Sequence, residues 1–203
     1  MRKITILLCA VVMFVGLASV ASALTLENGS FESGLENWIA VSNDSTGSVS
    51  VTTSDAYGNY SATNGSFFAA MEASSSLSQS VSWLEGDTIT FDWGFYSRSG
   101  QWDNDFSLFK ISGDVEYNVT LADVAGTGYN GSSTGWQTYE YTFAAAGSGV
   151  IGFGVQNASY AGYNPSRLYI DNVGSPAPVP EPATLVLLGS GLAGLAFYRR
   201  KKK

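Results

Sequence analysis

The sequence predicts an all-β domain, a single β-sandwich, set between an N-terminal signal peptide and a C-terminal transmembrane helix. Three observations predict it. From Leu24 to Val173 apolar and polar residues alternate with a period of two, and no helical period appears. Gly, Ser, Thr and Asn interrupt this alternation at near-regular spacing, as turns between short strands do. Each end of the chain combines an apolar run with basic residues, in the order expected of export and membrane signals.

Residues 1–23 read as a secretory signal. Arg2 and Lys3 supply the positive start and Ile4 to Leu17 the apolar run. Ala21 and Ala23 form an A-x-A cleavage site, which puts the mature start at Leu24. Cys9 follows the bulky Leu8, where a lipidation site needs a small residue.

Residues 24–174 are the predicted sandwich. Gly47 to Thr53, Ser66 to Ala73 and Leu77 to Trp83 are its first strand-like runs. In Asp87 to Ser97, Ile89, Phe91, Trp93 and Phe95 fall on one face, and Thr88, Thr90, Asp92 and Tyr96 on the other. Phe106 to Ile111 and Glu116 to Leu121 follow. Trp136 to Phe143 places Tyr139, Tyr141 and Phe143 on one face, and Val150 to Val155 and Leu168 to Val173 complete the set. Trp38, Trp83, Trp93 and Trp136 lie in or beside these runs and are expected in the core.

Residues 175–182 form a Pro-rich linker, expected to extend as polyproline II. It ends on Pro180, Glu181 and Pro182. Residues 183–198 are uncharged and rich in Leu, Ala and Gly, and residues 199–203 are Arg199, Arg200, Lys201, Lys202 and Lys203. As a helix rising ~1.5 Å per residue the apolar stretch is roughly 24 Å long. That is slightly short of a hydrocarbon core of ~30 Å, a gap that flanking Arg and Lys side chains close by reaching outward. The basic cluster is expected in the cytoplasm, with the sandwich outside the inner membrane.

The Pro-Glu-Pro triplet, the short span and the basic end together resemble the PEP-CTERM sorting signal. That resemblance implies processing by an exosortase, a membrane-embedded transpeptidase-like protease that cuts near the triplet. It also implies an exopolysaccharide-producing Gram-negative host, with the mature protein at the cell surface or in the extracellular matrix. The apolar tail then serves as an address that is later removed, as in a GPI signal.

The charge distribution narrows the partners. Ten residues are basic and seventeen acidic, but seven of the basic ones occupy the two ends. Only Arg98, Lys110 and Arg167 remain for the middle, against sixteen carboxylates from Glu27 to Asp171, a formal charge of −13. Such a field repels phosphate backbones and excludes nucleic acid as a partner. The chain has no histidine and its one cysteine lies in the signal segment, which excludes zinc sites, disulfides and His-dependent catalysis from the mature domain.

The domain opens on Asn28-Gly29-Ser30-Phe31-Glu32 and closes on Ile170-Asp171-Asn172-Val173. This bracket resembles jelly-roll, galactose-binding-like carbohydrate-binding modules, in which an N-G-x-F-E opening and an I-D-N-V final strand lie side by side. The resemblance implies that Glu32 and Asp171 share a structural Ca²⁺, which takes about six to eight oxygen ligands. Trp102, Tyr129, Tyr160 and Tyr163 lie in loops rich in Gly, Asn and Ser, where a flat ring can stack on a sugar. Asp103, Asn104, Asp105 and Asn130 stand nearby as partners for hydroxyl groups.

Carboxylate pairs such as Asp103 and Asp105, or Asp114 and Glu116, meet the bare requirement for glycoside hydrolysis, but no pair is singled out by its setting. The expected function is therefore non-catalytic: an exosortase-sorted surface or matrix protein whose sandwich associates with exopolysaccharide. The alternatives are a polysaccharide hydrolase using a carboxylate pair, and a protein-binding adhesin or scaffold.

Overall fold

The computed structural model of the protein describes residues 24–42, 47–55, 57, 59–98, 104–129, 131–157 and 165–176. The signal segment, Pro180 to Pro182 and the tail, Ala183 to Lys203, lie outside the described residues.

The alternation does what the sequence predicts: it builds antiparallel strands that bury one face. Thr88–Ser97 (β7) buries Ile89, Phe91, Trp93 and Phe95, while Thr88, Thr90, Asp92 and Tyr96 stay partly exposed. β7 is central to a six-stranded sheet with Ser132–Ser133 (β10), Arg167–Gly174 (β13), Phe68–Glu72 (β5) and Ser48–Thr52 (β2). Gln137–Thr142 (β11) also pairs with β7, along its first half. The facing five-stranded sheet runs Ile39–Ser42 (β1), Ser75–Trp83 (β6), Gly147–Gln156 (β12), Phe106–Gly113 (β8) and Tyr117–Asp123 (β9). A small hairpin, Ser54–Asp55 (β3) and Tyr60–Ser61 (β4), stands apart from both.

Inward-facing rings from both sheets fill the space between them. Phe91 meets Phe109 and Phe153 at 4.8 Å each and Tyr139 at 5.4 Å. Trp83 stacks on Phe143, with centroids 4.3 Å apart and planes 16° from parallel. Each fully buried ring of this kind stabilises the fold by roughly 1.5–3 kcal/mol through removal from water.

A second cluster lies on the outer face of the six-stranded sheet. β5 sends Ala69 and Met71 inward, and Phe68 and Ala70 outward; β13 sends Leu168 and Ile170 inward, and Tyr169 outward. The β3–β4 hairpin covers this outer face. Tyr60 lies 4.2 Å from Tyr169 and edge-on to Trp136 at 5.1 Å. A Cβ on Gly94 would fall 2.2 Å from the Tyr60 ring, so glycine is what lets the ring lie against β7. Trp38, Trp83 and Trp93 are core residues as expected. Trp136 differs: it is half-buried in this outer cluster, with its indole N–H donating to the Ser61 carbonyl at 2.9 Å.

Candidate functional site

The opening motif is explained by its contacts. Asn28 adopts a positive φ of 51°, and its side chain ties the loop by donating to the carbonyls of Gly34 and Glu36 and accepting the Ser33 N–H. The Trp38 indole N–H donates to the Asn28 carbonyl, and Phe31 packs against Trp38 with no exposure. Gly29 lies against the closing strand, where the Val173 amide donates to its carbonyl.

Glu32 and Asp171 converge on one loop, residues 63–67. Asp171 Oδ2 accepts the Thr63 N–H at 2.6 Å, the Thr63 hydroxyl at 3.1 Å and the Asn64 N–H at 3.0 Å. Its Oδ1 accepts the Asn172 N–H at 2.7 Å. Glu32 Oε1 accepts the N–H groups of Ser66 and Phe67 at 2.7 and 2.8 Å. First and last segments of the domain therefore grip the same turn. Asp171 is fully buried, and among the described residues no Lys or Arg pairs with it. Burial pushes its pKa above the ordinary carboxylate value, against the pull of hydrogen bonds from Asn64, Asn172 and Thr63. Among the described residues Glu32 Oε2 receives no hydrogen bond. Asp171 is buried with both oxygens engaged, whereas Glu32 is exposed, so it is Glu32 that has the freer carboxylate oxygen to offer a hard cation. No group of three or more Asp, Glu, His or Cys stands together among the described residues, so backbone carbonyls or water would have to complete any such site.

One concave opening lies between the edges of the two sheets. Between β9 and the β10–β11 edge is a cleft of about 680 Å³. Trp93 reaches it from the core, and Thr120, Asp123, Ser133, Thr134 and Gln137 line it with hydroxyl, amide and carboxylate groups. Asp123 also caps the helical turn Val124–Thr127, its Oδ1 accepting the Gly126 N–H at 2.6 Å. A smaller pocket of about 300 Å³ shares Thr120 and Asp123 with the cleft and adds Asn104 and Phe106. An aromatic ring with a few polar groups in a concave site is the usual make-up of a small-ligand pocket.

Of the aromatic residues singled out in the sequence, Tyr129 is exposed, just beyond the Val124–Thr127 turn, and its carbonyl accepts the Ser132 hydroxyl. Trp102, Tyr160 and Tyr163 lie outside the described residues, as do Asp103 and Asn130. Asp105 is fully buried and accepts the Ser166 N–H, so it belongs to the fold's interior. The residues that line the cleft escaped sequence reading. Thr120, Ser133, Thr134 and Gln137 are ordinary polar residues at strand edges, and only the pairing of the sheets brings them together.

The sandwich is similar to TmCBM61 in complex with β-1,4-galactotriose: 21% identity and a TM-score of 0.50, over 75% of this chain and 97% of that one. Weaker likeness extends to a family 16 carbohydrate-binding module, with 18% identity and a TM-score of 0.42 over 74% of this chain and 97% of that one. The K3 adhesin domain of Lys-gingipain from Porphyromonas gingivalis gives 15% identity and 0.46, over 74% and 98%. At such identity the likeness to the first speaks to fold, an antiparallel jelly-roll sandwich of the carbohydrate-binding-module kind. No curated protein matches the chain in sequence. No helix among the described residues is long and apolar enough to cross a membrane. Residues 178–202 match the PEP-CTERM protein-sorting motif, the family expected from the Pro-Glu-Pro triplet, so the chain carries a signal that implies export and membrane anchoring before cleavage.

Proposed function

We propose that this protein is an exosortase-sorted surface or matrix protein of a Gram-negative bacterium, whose sandwich binds neutral exopolysaccharide without cleaving it. The observation that carries the reading is the cleft of about 680 Å³ lined by Trp93 and by hydroxyl and amide groups, in a domain joined to a sorting motif. Among the described residues Asp123 is the one carboxylate in its lining, where hydrolysis by the usual route needs a pair. The domain's charge favours uncharged glycans over acidic ones. The galactotriose complex of TmCBM61 makes β-1,4-linked galactan the first glycan to try.

Trp102, Tyr129, Tyr160 and Tyr163 are proposed to add stacking contacts from the loops, and a structural Ca²⁺ to be held by Glu32 and Asp171. When bound, the cation would neutralise the two carboxylates and tie the terminal segments together. Several weak contacts are needed to reach even millimolar affinity, ~4.1 kcal/mol, so binding is expected to be multivalent. The test is retention of the full chain on the host's own exopolysaccharide. Trp102→Ala and Gln137→Ala should each abolish retention with the melting temperature unchanged. Undiminished retention in both variants sinks the reading.

A further inference from the structure

Strand β9 is irregular where it meets the cleft. Ser107 of β8 faces Ala122 and Leu108 faces Thr120, so Leu121 is an extra residue without a partner in the ladder. Such a bulge bends an edge strand and re-aims its side chains. Leu121 lines the cleft beside Thr120 and Asp123, and the last two also border the smaller pocket of about 300 Å³. The two concavities therefore meet at the bulged end of β9. Both are open to solvent, so neither forces a bound chain to stop inside it.

Two side chains at this junction have capacity that the fold does not use. Asp123 is exposed and stands opposite Phe106 in the ladder. Its Oδ1 accepts the Gly126 N–H at 2.6 Å, but among the described residues its Oδ2 receives no hydrogen bond. Phe106 is half-buried and, among the described residues, joins neither hydrophobic cluster. It lines the smaller pocket instead, beside the exposed amide of Asn104. A single apolar residue at a surface is ordinary. A ring, a free carboxylate oxygen and an amide around one concavity are together what a sugar needs, a face to stack on and partners for its hydroxyls.

We infer that the carbohydrate site runs on across β9, with Phe106 as a second stacking residue, and that it recognises the interior of an extended neutral glycan rather than a chain end or a free sugar. The inference rests on the cleft binding carbohydrate. A chain lying in the cleft from Trp93 to Asp123 meets Asn104 and Phe106 next. Asp123 Oδ2 accepts a hydroxyl at the crossing, the Asn104 amide both donates and accepts, and Phe106 offers its ring to the unit beyond. A single unit occupies only one of these places, so binding strengthens as units are added until the second pocket is filled.

The test is a series of fragment lengths. The host's exopolysaccharide is partly hydrolysed, sized from disaccharides upward, and titrated into the full chain in detergent by calorimetry. The wild type should bind long fragments more tightly than short ones. Phe106→Leu keeps an apolar side chain in the strand but no ring. It should bind short fragments as the wild type does and long ones roughly two- to tenfold more weakly, the loss of one stacked ring. Phe106→Tyr keeps the ring and should keep the gain with length. Because that gain is read on the wild type, it decides the matter even if a variant is unstable. Binding of short fragments with no gain on longer ones overturns the inference and leaves the cleft standing. So does a folded Phe106→Leu as tight as the wild type on long fragments. A wild type that binds no fragment of any length overturns the carbohydrate reading itself, and this inference with it.

Discussion

The amide of Val173 donates to the carbonyl of Gly29 at 2.9 Å, and a Cβ built on Gly29 would stand 1.7 Å from the Val173 carbonyl oxygen. The opening and closing segments of the domain are thus pressed together as backbone on backbone. A methyl group at Gly29 has nowhere to go, because the two nearest atoms it meets belong to the main chain of β13. Gly29→Ala is expected to destabilise the fold by about 3 kcal/mol, the upper range for overpacking a tight site. Urea unfolding would measure it, and a variant as stable as the wild type would show the contact to be looser than described.

Calcium is expected to strengthen the same junction. Asp171 accepts four hydrogen bonds and Glu32 two, all from one loop or the neighbouring Asn172. EGTA should lower the melting temperature of the wild type. Asp171→Ala should lower it further, at roughly 1–3 kcal/mol for each buried donor left unpaired, and should abolish the response to chelator. Superimposable wild-type curves with and without EGTA would leave the carboxylates as receptors for backbone amides only.

Tyr139 should contribute to alkaline stability, beside the buried Tyr169, whose pKa is also raised by desolvation. Burial, the hydroxyl it shares with Tyr117 and the charges of Tyr117 and Tyr141 push its pKa up from 10.0 to about 12. The folded state therefore holds this proton through a range in which the unfolded chain has released it. The contribution is complete below pH 10 and is lost as pH rises through about 12. Absorbance titration at 295 nm should find one tyrosine titrating near that upper value, and Tyr117→Phe should bring it down. An unchanged titration in Tyr117→Phe would count against the shared hydrogen bond.

Sorting makes a prediction about mass. With the motif matched at residues 178–202, the form released from the envelope should lack Ala183 to Lys203. Intact-protein mass spectrometry decides the matter, and a full C-terminus on the released form would refute processing near the triplet.

The strands that bury one face were legible in the sequence. β7 and β13 follow from alternation because burial on one side only imposes it. β1 was not legible: all of its residues are exposed, Ile39 and Val41 among them, so nothing at this sheet edge enforces a pattern. Trp136 misled because a wide aromatic beside a strand can serve either face of the sheet. Here the β3–β4 hairpin gives the outer face a cover and Trp136 joins it. Glu32 and Asp171 reach a common loop that no spacing rule would have paired, and only the resemblance of the two end motifs linked them in advance. The cleft depends on which strands lie side by side, and that is set by pairing rather than by local composition.

The position of β13 has a mechanical consequence. This last strand is flanked by β5 along Arg167–Ile170 and by β7 along most of its length, and the linker to the sorting tail begins where it ends. Any pull on the protein from its C-terminal attachment is therefore delivered along an interior strand. The ladder bonds on both sides must slide together before that strand can leave, so they share the load instead of opening one after another.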